Sequence, residues 1–125
     1  MRQIRITAGS ISQTATLNDT QTAQLVWDVL PFAASASRWG DELYFTIPVD
    51  TETERGQPTV SPGDLAYWEP GSAFCLFWGP TPISSPDEIR PANPVTVFGR
   101  LDGDPSAFDE FRSGTRVKVE RISDD

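Results

Sequence analysis

The densest run of chemistry-bearing side chains in this sequence of 125 residues is Arg38-Trp39-Gly40-Asp41-Glu42-Leu43-Tyr44. Arg38 and Trp39 end one strand-like stretch, and Asp41 and Glu42 open the next across a turn at Gly40. An Arg beside two carboxylates can orient a polar ligand, with Trp39 and Tyr44 as an aromatic wall. The same groups can run acid–base chemistry, one carboxylate as base, Tyr44 as proton donor and Arg38 holding an anionic substrate. The plainer alternative is a tight turn with a surface ion pair worth less than about 1 kcal/mol. Further along, Trp68, Phe74, Phe77 and Trp78 either line a pocket or fill a core. Phe74 and Leu76 point opposite to Cys75 and Phe77, so one pair faces an interior and the other a groove. Cys75 has no cationic neighbour in sequence to lower its pKa, which favours a buried, inert thiol over a nucleophile.

What is missing narrows the chemistry. The chain has no histidine and one cysteine. Ser-His-Asp and Cys-His hydrolysis, the common zinc sites and thiolate-rich clusters are therefore excluded, and no metal or cofactor is expected. Asp102, Asp104, Asp109 and Glu110 do not have the spacing of a calcium loop. A net charge of −8 argues against sequence-independent binding to nucleic acid and against an anionic membrane surface. No apolar run approaches the roughly 20 residues that span a bilayer, and Met1-Arg2-Gln3-Ile4 does not read as a signal peptide. A cytoplasmic protein without an internal disulfide is the expectation.

The elements that must position these groups follow from periodicity. With 38% hydrophobic residues, seven Phe and four Trp, the chain can bury a single core, and eleven Pro and nine Gly favour a β protein with many turns. Residues 2–7 and 11–17 alternate around Ala8-Gly9-Ser10 and read as a hairpin, with Ile4 and Ile6 on one face. Ala23, Val26, Trp27 and Leu30 have helical spacing after an Asn18 or Asp19 cap, and Pro31 stops the helix. Strands are expected at 32–38, 43–47, 64–68, 73–78, 95–101 and 115–122. Residues 50–62 read as an exposed loop in which Asp50, Glu52 and Glu54 are solvated. The proline-rich stretch 79–94 is expected to wander over the surface, with Gly79-Pro80-Thr81-Pro82 as a candidate rim over a groove. Asp104-Pro105 predicts a second helix, its face made by Ala107, Phe108 and Phe111 and its end set by Gly114.

This order predicts a mostly β domain over residues 1–125: a closed eight-stranded antiparallel barrel with two short capping helices. A sandwich with two appended helices gives a similar pattern. A strand edge left open by incomplete closure would favour a homodimer.

Gly71-Ser72-Ala73-Phe74-Cys75-Leu76-Phe77 resembles the cyclophilin strand that lines the proline-binding groove. Val95-Thr96-Val97-Phe98-Gly99-Arg100-Leu101 resembles the later cyclophilin strand with its Val-Phe-Gly core. More closely, the chain is similar to a family of small bacterial and archaeal cyclophilin-like proteins of uncharacterised function. That likeness is carried by Leu17 to Thr20, Arg38 to Phe45, Gly63 to Trp68 and Ala73 to Pro82. The resemblance implies the barrel, and it makes isomerase chemistry checkable residue by residue. Arg38 falls loosely at the position of the cyclophilin arginine, Ala73 at the groove glutamine, Cys75 at the groove phenylalanine, and Val95 near the histidine. Without the amide donor and the aromatic floor, prolyl isomerase activity is not expected.

Three functions stay open. The first is binding of a small polar molecule at Arg38, Trp39, Asp41, Glu42, Tyr44, Trp68, Ala73, Cys75 and Phe77. The second is an enzyme using Asp/Glu/Tyr acid–base chemistry on a small anionic substrate. The third is a retained prolyl isomerase or a peptide-binding module using the old groove.

Overall fold

The computed structural model describes residues 1–124. The alternating first residues form the expected hairpin, β1 (Gln3–Ala8) against β2 (Ile11–Leu17), turning at Gly9 with φ of +63°. Helix α1 (Gln21–Val29) follows, burying Ala23, Val26 and Trp27. Its cap is Thr20 and not Asn18 or Asp19: the Thr20 hydroxyl accepts the Ala23 N–H, and Asn18 braces Thr20 through its side-chain oxygen. Glu54 corrects a second expectation. Its carboxylate is not merely solvated but accepts from the N–H groups of Gln21 and Thr22, where the helix leaves donors unpaired. The Arg2 and Arg121 guanidinium groups lie over the Trp27 ring, at 5.2 and 4.9 Å.

The stretch read as one strand over 32–38 is two, β3 (Phe32–Ser35) and β4 (Ser37–Arg38). Then come β5 (Glu42–Thr46), β6 (Asp64–Trp68), β7 (Ala73–Phe77), β8 (Thr96–Leu101) and β9 (Arg116–Ser123). All pair antiparallel, in the spatial order β3-β9-β1-β2-β8-β6-β7-β5-β4. The two ends of this sheet, β3 and β4, are consecutive in the chain. At Ala36 the chain stops pairing with β9 and starts pairing with β5, held there by bonds to Thr115 and Gly114. The sheet so curls into a nearly closed barrel, with nine strands instead of eight because Ala36 splits one of them.

Inward residues fill the barrel. Ile4, Ile6, Leu43, Leu65, Phe74, Leu76, Phe98, Val117 and Val119 are fully buried in one cluster. Phe74 lies at its centre, stacked on Phe45 at 5.1 Å and edge-on to Phe98 at 5.4 Å and Phe32 at 6.1 Å. Each such aromatic contributes on the order of 2–3 kcal/mol by burial, with pairwise geometry adding to it.

The second predicted helix is a 3-10 helix, Pro105–Glu110, capped by Asp104 as expected. It buries Phe108 and Phe111 against Trp78 but leaves Ala107 exposed, and Gly114 belongs to the following turn. The carbonyls of Asp109 and Phe111 accept from the Arg38 guanidinium, and the chain turns extended at Phe111, so the helix goes no further. No helix among the described residues is long and apolar enough to cross a membrane.

Candidate functional site

Strand alternation sends every second side chain of β5 and β7 away from the barrel core. On β7 these are Ala73, Cys75 and Phe77, and on β5 they are Glu42, Tyr44 and Thr46. The register sets Glu42 opposite Phe77, Tyr44 opposite Cys75 and Thr46 opposite Ala73, while β6 adds Ala66 beside Cys75 and Trp68 beside Ala73. This outer face carries a second, smaller apolar cluster of Ala66, Ala73, Cys75, Phe77, Ile89 and Val95.

A long irregular segment covers that face. Residues 79–94 do not simply wander: Thr81, Ile89 and Pro91 are buried, and Val60 pairs with Ile89 and Gln57 with Val95 through backbone bonds. The Trp68 indole N–H donates to Asn93 Oδ1 at 2.9 Å, fastening the segment to β6. Between cover and sheet lies a cavity of about 160 Å³, lined by Trp39, Glu42, Tyr44, Trp68, Cys75, Phe77, Pro91, Ala92 and Val95.

The residues singled out in the sequence divide here. Trp39, Glu42, Tyr44, Trp68, Cys75 and Phe77 come together around the cavity. Ala73 shares their face without lining it. Arg38 and Asp41 do not line it. Arg38 pairs across β4 with Leu43, whose side chain points into the barrel, so the register turns Arg38 away from Glu42. Its guanidinium donates to the Asp41 carboxylate at 2.9 Å and to the carbonyls of Gly40, Asp109 and Phe111, and lies 5.1 Å over the Trp78 ring. Four of its N–H groups are thereby engaged, and the pair fastens the 38–42 turn to the end of the barrel. Phe74 and Trp78 belong to the core and not to the pocket. Pro91 and Ala92 were not anticipated; the proline-rich composition of their segment marks it as rigid without saying where it lies. The expected rim, Gly79 to Pro82, instead packs on the turn: a Cβ at Gly40 would meet Pro80 O and Thr81 Cα at 2.8 Å.

Glu42 is the unusual member. It is 5% exposed, and its carboxyl takes part in none of the ion pairs among the described residues. Burial pushes its pKa up to about 7, with the neighbouring Cys75 thiol pulling weakly the other way. The thiol itself is driven well above its ordinary value, first by burial and then by the charge of Glu42. It is directed at the Ala73 carbonyl, 3.9 Å away. Cys75 is therefore no nucleophile at neutral pH. The arrangement offers one carboxyl group that changes charge near neutrality, surrounded by aromatic rings and sheltered from water.

The fold has solved counterparts. A hypothetical protein of Archaeoglobus fulgidus, AF2241, is 41% identical, with a TM-score of 0.82 over 97% of this chain and 95% of that one. McbB, solved in complex with tryptophan, superposes with a TM-score of 0.73 at 20% identity, a likeness of fold alone; the matched region covers 98% of this chain but only 45% of McbB. No curated protein matches the sequence. Residues 2–120 match the Cyclophilin-like protein family, and the chain belongs to it.

Proposed function

We propose that this protein binds a small polar molecule in the cavity between the outer face of β5, β6 and β7 and the covering segment, and that it lacks prolyl isomerase activity. The observation that carries the reading is Glu42, a carboxyl group buried at the wall of a mostly apolar cavity without an ion-pair partner. A buried ionisable group costs stability unless something offsets it, and ligand sites are where such costs are kept. A cavity of about 160 Å³ suits a molecule of roughly one ring, by comparison with the ~150 Å³ cavities that take benzene, and does not suit an extended peptide. Against isomerase chemistry stand Ala73 and Cys75, which provide neither an amide donor nor an aromatic floor, and the absence of any histidine.

One observation favours a second reading, an enzyme. A carboxyl with a pKa of about 7 can both take and give a proton at neutral pH. Glu42 would be the acid–base group and Tyr44 a second proton donor, while Asp41, committed to Arg38, would have no part in it.

Native mass spectrometry tests the binding reading. The protein is incubated with a small-molecule metabolite extract and compared with a denatured sample of the same preparation. A reproducible extra mass in the native spectrum, lost in Glu42→Gln, is expected. Bare protein in both spectra would overturn the reading.

A further inference from the structure

The cavity has a sign. Among its lining residues Glu42 is the one carboxylate, and no Lys or Arg is present. The cations next to lining residues in sequence are engaged elsewhere: Arg38 with Asp41 and three backbone carbonyls, and Arg90 with Glu88. Three of the remaining walls are the faces or edges of Trp39, Tyr44 and Trp68. Aromatic faces attract cations, most strongly where water is excluded, and a carboxylate among them completes a receptor for a positive charge. The same groups are hostile to an anion, whose charge would meet Glu42 with nothing to offset it. The overall charge of −8 adds a field that draws cations in.

We infer that the ligand of this cavity is a small organic amine bound as its ammonium form, with Glu42 as its counter-ion and Trp39, Tyr44 and Trp68 as its aromatic enclosure. This rests on the binding reading above and reverses the charge expected from Arg38 in the sequence. The ligand's apolar part packs against Phe77, Pro91 and Val95, and the cavity volume limits it to about one ring with a short aminoalkyl arm. Binding strengthens as Glu42 ionises. The other titratable side chains facing it are Tyr44 on its own strand and Cys75 on β7, and the buried thiol stays neutral through that range.

The test is a titration followed by backbone amide NMR, with three probes of one shape: benzylamine, benzyl alcohol and benzoate. Benzylamine is expected to shift the amides of Glu42, Tyr44, Cys75 and Phe77, and to bind at least about tenfold more tightly than the other two at pH above 7. Its affinity should rise by roughly the same factor between about pH 6 and pH 8 and lose that rise in Glu42→Gln. Trp68→Leu, which keeps the carboxylate, should weaken benzylamine more than benzyl alcohol. Benzyl alcohol or benzoate binding the same residues as tightly as benzylamine would overturn the amine inference and leave the binding reading standing. Silence from all three probes would also overturn it, and the mass-spectrometric comparison then decides separately whether the cavity binds anything.

Discussion

Glu42→Gln should make the protein more stable at neutral and alkaline pH. The carboxyl has its ordinary value of 4.5 in the unfolded chain and about 7 in the folded one. The folded state therefore holds this proton more tightly, and between those two values it binds more protons than the unfolded state. Stability falls as pH rises wherever the folded state binds the excess. Glu42 accordingly costs nothing below about pH 4, costs progressively more from there to about pH 7, and reaches a plateau above it. At roughly 1.4 kcal/mol per unit, the plateau is about 3 kcal/mol, a large share of the ~5–15 kcal/mol that holds a domain together. Glutamine has nearly the same shape and no charge, so it removes the pH-dependent part. The assay is urea unfolding of both proteins at steps from about pH 5 to pH 8, read as the difference in unfolding free energy. Glu54, Glu69, Glu88 and Asp104 are held below their ordinary values by hydrogen bonds, so they lose stability toward acid, but they are common to both proteins and cancel in the difference. The variant's advantage should grow by about 2–3 kcal/mol across that range. Parallel curves, with a constant offset at every pH, would refute a shifted Glu42 and the reasoning built on it.

Arg38→Ala should cost about 2–4 kcal/mol, because it strands the Asp41 carboxylate and three carbonyls and uncovers Trp78, while leaving ligand binding in the cavity unchanged; thermal melts and the benzylamine titration on one preparation check both halves. Cys75 should react with iodoacetamide far more slowly in the native protein than in the urea-unfolded chain, since the thiol is buried and its pKa is raised; mass-spectrometric labelling as fast in the folded protein as in the unfolded one would contradict the inert-thiol reading. A proline-containing peptide should isomerise no faster with the protein than without it, and a rate near that of a cyclophilin control would reverse the assignment.

Much of the barrel was legible because alternation is local. Ile4 and Ile6, or Leu43 and Phe45, declare their face within a single strand, and the reading of Phe74 and Leu76 as one face with Cys75 and Phe77 as the other is what the two clusters display. The break at Ala36 was not legible, since it depends on where the sheet closes and not on any residue of 32–38 alone. Arg38 illustrates the harder limit. Four positions from Glu42 in sequence, it ends on the opposite face because β4 pairs Arg38 with Leu43 and not with Glu42. A one-residue slip in that pairing would have placed it in the cavity, and register is a property of two strands together. Pro91 and Ala92 come from a segment with no periodicity at all, positioned by backbone bonds to residues as distant as Gln57 and Val60.

The two faces of β7 divide the protein's obligations. Phe74 and Leu76 hold the barrel, so the outward row of Ala73, Cys75 and Phe77 is free to serve the cavity, and Glu42 on β5 can carry a cost the core offsets. That cost and the proposed ligand are linked through one proton. An ammonium group beside Glu42 favours its ionised form and lowers its pKa, so the amine should stabilise the protein more at pH 8 than at pH 6 and flatten the very profile that Glu42→Gln flattens. If the ligated wild type and the unligated variant share a shape of stability against pH, the charge carried by Glu42 is the charge the ligand neutralises. Were a saturating ligand to raise stability by the same amount at every pH, it would be bound without touching that carboxylate, and the counter-ion role would belong to no residue in the cavity.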